Sequence, residues 1–337
     1  MKLSLKRVEE QVIVITGATS GIGLATARLA AERGAAVMLT ARDAGELARL
    51  AEEIRSRGGR AAFLAADVGD LDEVRAVADA AVRELGGIDS WVNNAGVTIY
   101  GRIEDVPTDD ARRLFETNYW GVVHACHAAL PHLRERGGAI INIGSTLSER
   151  AIPLQGHYSA SKHAVKAFTD VLRMELEKDD VPVAVTLVKP GAIDTPYPEH
   201  GRNYMDVEPV HPPPVYEPRV VARTILACAE RPTRDVFVGA GGKMTAAMDR
   251  LGPVADRLMG ATMFDQQQTD RPSPADRPDA LYEPQPGRER GRYPGHVMRT
   301  SAYTTATMHP VATLVGALAI GAGIATLARG RGSNGFD

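Results

Sequence analysis

Residues 12–23 read VIVITGATSGIG, and the fold follows from them. Val12–Thr16 is an unbroken β-branched run, the pattern of a strand buried on both faces. It runs into Gly17-Ala18-Thr19-Ser20-Gly21-Ile22-Gly23 and then into a helical pattern over 24–33, closed by Gly34. Strand, glycine loop and helix make the βα unit that sets backbone N–H groups and a helix N-terminus against a pyrophosphate. The glycines are spaced G-x-x-x-G-x-G rather than G-x-G-x-x-G. Alone they would also suit a turn, but the strand before and the helix after favour nucleotide binding.

The same alternation continues along the chain. Residues 36–40 (AVMLT) form a second expected strand, 44–57 a helix, and 61–66 a third strand ending in Asp67-Val68. A helix over 71–85 is broken by Gly86-Gly87, and a fourth strand over 88–92 ends in Asn93-Asn94-Ala95-Gly96. Further strands are expected at 139–143, 183–188 and 235–238. Strands alternating with helices imply an α/β protein with a doubly wound parallel sheet, helices covering both faces. Ligands in such sheets bind beyond the C-terminal strand ends. Gly17, Asp67, Asn93, Ser145 and Pro190 all stand at such ends.

Ser145 follows the strand 139–143. Tyr158 and Lys162 lie four residues apart in the next helical pattern, so they share one face, one turn from each other. A free phenol, with a pKa of about 10, is a poor base at neutral pH. A lysine cation one turn away is expected to stabilise the phenolate and lower that value. Hydroxyl, phenol and ammonium together suit proton transfer to or from an oxygen. On its own, a Tyr and Lys at this spacing also fits an ordinary amphipathic helix.

The second strand leads into Ala41-Arg42-Asp43. Enzymes that use NAD usually place a carboxylate here for the adenosine ribose. Arg42 can instead grip a 2′-phosphate, so NADP(H) is favoured over NAD(H). Asp43 either caps the following helix or competes for the ribose.

Composition narrows the class. Of 337 residues, 44% are hydrophobic and 24% charged, which suits a globular protein with a sizeable core. The net charge of −3 gives no general attraction to nucleic acid. The two cysteines, Cys126 and Cys228, fit no redox or metal spacing and suggest a reducing, cytoplasmic setting. The first ten residues lack the apolar core of a secretory signal. His124, Cys126 and His127 fall on different faces of one helix, so no metal is expected.

Together these motifs resemble the short-chain dehydrogenases/reductases, over roughly residues 11–239. The matching pieces are TGATSGIG (16–23), Asp67-Val68, NNAG (93–96), Asn118, Ser145, YSASK (158–162) and PGAIDT (190–195). The resemblance implies a Rossmann-type fold and a nicotinamide cofactor. It implies Tyr158 as general acid/base, Lys162 on the nicotinamide ribose, Ser145 orienting the substrate oxygen, and Asn118 supporting a proton-relay water. By the same resemblance the cofactor is held by Gly17, Thr19, Ser20, Gly21, Ile22 and Gly23, with Asp67 and Val68 at the adenine. Asn94, Ala95 and Gly96 line its cleft, and Pro190, Gly191, Ile193 and Thr195 meet the carboxamide end. Many NADP-using members carry Lys or Arg where this chain has Ser20, so cofactor choice rests on Arg42. The family usually pairs through two long helices, here 109–136 and 157–178, which implies a homodimer or homotetramer.

The expected activity is an NADP(H)-dependent interconversion of a small-molecule carbonyl and a secondary alcohol. The alternatives are an NAD-dependent dehydrogenase of the same fold and a non-catalytic dinucleotide-binding protein. Within the proline-rich loop 196–218, Tyr197, His200, Tyr204, His211 and Tyr216 are candidates for substrate contact. The catalytic domain is expected to end near residue 240. A helical extension over 241–264 follows, then a Pro/Arg-rich segment over 265–310 whose composition suggests disorder. Residues 311–328 (VATLVGALAIGAGIATLA) are eighteen without a charge. They read as a membrane anchor, a helix packed in a groove, or a disordered end.

Overall fold

Val14 points to one side of its strand and Ile13 and Ile15 to the other, and all three are fully buried. This two-sided burial fixes the first strand in the middle of a sheet. In the computed structural model, which describes residues 3–248, 251–274, 276–308 and 313, seven strands form that sheet. They are β1 (Val12–Thr16), β2 (Ala36–Ala41), β3 (Arg60–Ala65), β4 (Ser90–Asn93), β5 (Gly138–Ile143), β6 (Val183–Pro190) and β7 (Asp235–Val238). Their order is β7-β6-β5-β4-β1-β2-β3, parallel throughout. The chain builds outward from β1 to β3, then crosses back to β4 and builds the other way. The crevice between β1 and β4 is the switch point at which such sheets bind ligands.

Helices α1 (Gly21–Glu32) and α2 (Ala44–Ser56) pack on the face of Ile13 and Ile15. Helix α3 (Leu71–Leu85) covers the Val14 face. Asp43 accepts the Glu46 N–H at 2.9 Å, so it caps α2. Gly86, at φ +89°, closes α3 in the left-handed region that an L side chain resists.

The continuous helix expected over 109–136 is two helices, α4 (Thr108–Phe115) and α5 (Gly121–Arg136), joined by a π-helical turn at Glu116–Trp120. The sequence pattern did not show the break because both helices keep one buried face, with Leu114 on α4 and Val122 and Ala125 on α5. The turn inserts Asn118 into the interior, where it is fully buried. Single π turns within helices are frequent at functional sites. Helix α6 (Gly156–Lys178) joins α3 and α5 on the Val14 face, and α7 (Pro218–Glu230) packs on α1.

The chain after β7 folds back on this core. Helices α8 (Ala240–Met248) and α9 (Pro253–Gln266) are separated near Gly252, at φ +49°. Gln268–Pro272 then pairs antiparallel with Val207–Pro209, and Val297–Met298 pairs parallel with Val215–Tyr216. Helix α10 (Ala302–Met308) reaches β7, where Thr304 accepts the Gly239 N–H at 3.0 Å.

The disorder expected for 265–310 is therefore corrected for the described part of that segment. Its arginines meet carboxylates of the core: Arg288 with Glu199, Arg290 with Asp194 at 3.0 Å, Arg299 with Glu217 at 3.3 Å. Leu281 is fully buried beside Leu114 and Tyr158. Composition indicated a segment too polar to form a core of its own, but not the charged surface waiting for it. Residues 311–328 lie outside the described residues, save Thr313. Among the described residues no helix is long and apolar enough to cross a membrane.

Candidate active site

The glycine loop is shaped by close contacts. Gly17 has φ +64°, and a Cβ there would lie 2.9 Å from Ala95 Cα. A Cβ on Gly23 would collide with the carbonyl oxygen of Gly17. Only bare backbone lets the loop turn this tightly into α1. Asn94 holds the loop from the β4 side: its Nδ2 donates to the carbonyls of Thr16 at 2.9 Å and Gly17 at 3.2 Å.

Beyond these strand ends lies a two-part cleft. The outer part is lined by Gly17, Thr19, Ser20 and Gly21, by Arg42 from the end of β2, and by Asp67 and Val68 from the end of β3. The inner part is lined by Ser145, Tyr158, Lys162, Pro190, Gly191 and Ile193. Ile22, Asn94, Gly96 and Thr195 belong to both and join them. The cradle of bare glycine backbone, the helix N-terminus beside it and this continuous cleft fit a dinucleotide.

Asp67 is kept ionised. Burial raises its pKa, but the Gly69 N–H at 2.9 Å, the Arg113 guanidinium and the charge of Arg42 hold it below the ordinary value. Arg42 donates to carbonyl oxygens of the C-terminal segment: Ala280 at 2.5 Å, Tyr282 at 2.7 Å and Leu281 at 3.4 Å.

In the inner part, Lys162 Nζ donates to the Ile143 carbonyl at 2.8 Å and lies 5.7 Å from the centre of the Tyr158 ring. Burial draws the Lys162 pKa down to about 8. Burial also dominates Tyr158 and raises its pKa, with hydrogen bonds to Tyr197 and Ser145 acting the other way. The phenol is thus raised where its lysine neighbour was expected to lower it, because burial sets the direction. Ser145 Oγ accepts the Leu147 N–H at 3.0 Å, which fixes the hydroxyl at the end of β5.

Asn118 and Gly23 do not line the cleft; both stand behind it. Asn118 Oδ1 accepts the Val97 N–H at 2.8 Å, while its Nδ2 donates to the Val97 carbonyl at 3.0 Å and to Ser161 Oγ at 3.1 Å. Ala95 lines the outer part. Of the loop candidates, Tyr197 and His211 reach the inner part and stack with ring centres 5.7 Å apart, and His200 reaches the outer part. Burial lowers the His211 pKa to about 4, so this ring is neutral. Tyr204 is held by Asp110, and Tyr216 packs against Gly239, both away from the reacting groups.

Sequence reading missed Gln155 and Gln267. Tyr197 Oη donates to Gln155 Oε1 at 3.0 Å, and Gln155 Nε2 donates to Gln267 Oε1 at 2.7 Å. The segment 280–291 at the cleft mouth was missed as well. No periodic signal marks these positions, because their partners lie from 42 to 268 residues away along the chain.

Known proteins share this plan. A family model described as short chain dehydrogenase matches residues 11–203. The uncharacterized oxidoreductase YxnA of Bacillus subtilis is 44% identical over 315 residues, covering 92% of this chain and 88% of that protein. So wide a match necessarily runs past residue 240 into the C-terminal segment. Dehydrogenase/reductase SDR family member 7B of Bos taurus is 39% identical over 195 residues, covering 56% of this chain and 59% of its own length. An alcohol dehydrogenase from the archaeon Thermococcus sibiricus, solved in complex with 5-hydroxy-NADP, superposes with a TM-score of 0.60 at 26% identity. That match covers 68% of this chain and 95% of the archaeal one.

Proposed function

The chain belongs to the short-chain dehydrogenase family, enzymes that act on CH–OH groups with NAD(P), and from that premise we propose an NADP(H)-dependent oxidoreductase that interconverts a carbonyl and a secondary alcohol. The observation that carries the reading is the meeting of Ser145, Tyr158 and Lys162 in the inner part of a cleft whose outer part is a glycine cradle. A nicotinamide bound there supplies the hydride carrier.

In the direction of reduction, Tyr158 Oη donates the proton that the substrate oxygen takes up; in oxidation it accepts that proton. Ser145 donates a hydrogen bond to the same oxygen and polarises the carbonyl. Lys162, fixed on the Ile143 carbonyl, holds positive charge near the phenol and would hold the nicotinamide ribose of a bound cofactor. Asn118 keeps the Val97 backbone and Ser161 in place behind the lysine. Arg42 supports NADP(H), since its guanidinium faces the outer part, where a 2′-phosphate would sit.

The substrate enters between Tyr197, His211 and Leu147, an aromatic and apolar wall that favours an uncharged carbonyl compound. Trp120, Val171 and Met174 are exposed apolar side chains on the π turn and α6, which supports pairing of subunits through these helices. Cys126 and Cys228 are free, buried thiols, in keeping with a reducing cytoplasm.

The deciding experiment is Tyr158→Phe. Turnover should fall at least about a hundredfold with NADPH binding retained. Turnover kept near the wild-type rate would reject Tyr158 as the acid/base.

A further inference from the structure

The mouth of the nucleotide cleft is bordered by a segment of the chain's own C-terminal region. Residues 280–291 run along its outer part, from Arg42 past the N-terminus of α1 to the backbone of Asp194. At the first end, the carbonyls of Ala280, Leu281 and Tyr282 take the guanidinium of Arg42, and Arg113 Nε also donates to Leu281 at 3.2 Å. In the middle, the Arg288 carbonyl accepts from Gly21 N–H, the first residue of α1, at 2.9 Å and from Ser20 Oγ at 3.2 Å. At the far end, Gly291 N–H donates to the Asp194 carbonyl at 3.3 Å.

The fit is close. A Cβ on Gly287 would collide with the carbonyl oxygen of Thr19, and one on Gly291 with that of Thr195. Neither glycine has positive φ, so close approach, not backbone conformation, requires glycine here. Three anchors keep the strap down: Leu281, fully buried; Arg288 on Glu199; and Arg290 on Asp194.

The strap therefore presents neutral carbonyl oxygens to the donors that receive the anionic oxygens of a dinucleotide. We propose that segment 280–291 is an internal competitor for the nucleotide cleft, released from Arg42, Ser20 and Gly21 when NAD(P) binds. A carbonyl makes a weaker bond than a phosphate to the same guanidinium or N–H, so the exchange runs towards bound cofactor. The strap lowers the apparent affinity by the fraction of molecules in which it is open. That factor applies equally to NADPH and NADH, so the inference stands whichever of the two the enzyme prefers. The segment lies within the stretch matched by the Bacillus subtilis relative.

The test uses the full-length protein with NADPH and NADH as probes. Gly287→Val with Gly291→Val forces the strap off its two closest contacts without altering a residue of the catalytic or cofactor machinery. Arg290→Ala releases an anchor by a milder change. Dissociation constants from nucleotide fluorescence should fall about tenfold for both nucleotides, with their ratio unchanged. Hydrogen exchange of wild-type protein should show residues 280–291 exchanging faster when saturated with NADPH. Unchanged or weaker nucleotide binding in the variants would overturn the proposal and make the strap a wall of the site. Slower exchange of 280–291 on loading would overturn it whatever the variants do.

Discussion

Lys162 Nζ donates to the carbonyl oxygen of Ile143 at 2.8 Å, which ties α6 to the end of β5 beneath the phenol of Tyr158. The ammonium is almost fully buried, and among the described residues its hydrogen-bond partner is this neutral carbonyl rather than a carboxylate. Burial of a charge is costly unless it is compensated. The lysine is thus kept at an expense in stability that its proposed role in the reaction would explain.

Lys162→Met should remove activity and raise stability at neutral pH. The folded pKa of about 8 lies below the ordinary 10.5, so between those values the unfolded chain binds more protons and stability rises with pH. Below about pH 8 the penalty is fully present, at about 3 kcal/mol by the size of the shift. The lost bond to Ile143 offsets about 1 kcal/mol of the gain. Melting temperatures should show the variant ahead at pH 7 and slightly behind wild type above about pH 10.5, where the burial penalty is gone and the lost bond to Ile143 remains. A less stable variant at pH 7 would contradict this.

Tyr158 should titrate above its ordinary value in nucleotide-free enzyme, because burial outweighs its hydrogen bonds to Tyr197 and Ser145. The neutral phenol is then the favoured folded form, and its contribution to stability is lost as pH rises beyond about 10. The ultraviolet phenolate signal missing from Tyr158→Phe, relative to wild type, isolates this group. A midpoint near neutrality would mean that the lysine charge dominates after all.

Arg42→Ala should cut kcat/KM for NADPH by about 10–100-fold, the worth of a charge-assisted bond to phosphate. The value for NADH should not fall, since its ribose carries no phosphate and the strap loses its bonds to Arg42. Equal losses with both nucleotides would remove Arg42 as the basis of cofactor choice.

Asn118→Ala should destabilise the protein by about 2–4 kcal/mol, because it strands the buried Val97 N–H and carbonyl and removes one of the two hydrogen bonds of Ser161 Oγ. Calorimetry measures the loss. Asn118→Ser, which keeps one polar atom but cannot span both Val97 groups, should fall between. A neutral alanine variant would mean that the π turn is held by its backbone alone.

Gly23→Ala adds one methyl group where the Gly17 carbonyl already sits. The loop has to shift to accept it, so nucleotide affinity should fall at least about tenfold. Circular dichroism should show the sheet intact, since Gly23 contacts the loop rather than the core strands.

The β-branched run at Val12–Thr16, the glycines after it and the repeating strand–helix alternation determined the parallel sheet without any tertiary information, because a strand buried on both faces has only one class of architecture open to it. Local spacing likewise placed Tyr158 and Lys162 on one helical face, and strand ends placed Ser145 and Asn94 beside them. Three features depended on the folded chain. The π turn at Glu116–Trp120 arises from how Asn118 meets Val97, a contact across twenty-one residues. The direction of the Tyr158 shift depends on burial, which a spacing of four residues cannot express. The strap at 280–291 pairs Arg42 with carbonyls about 240 positions further along the chain. Its polar composition reads as disorder because its order is supplied by charges and glycine contacts on another part of the surface.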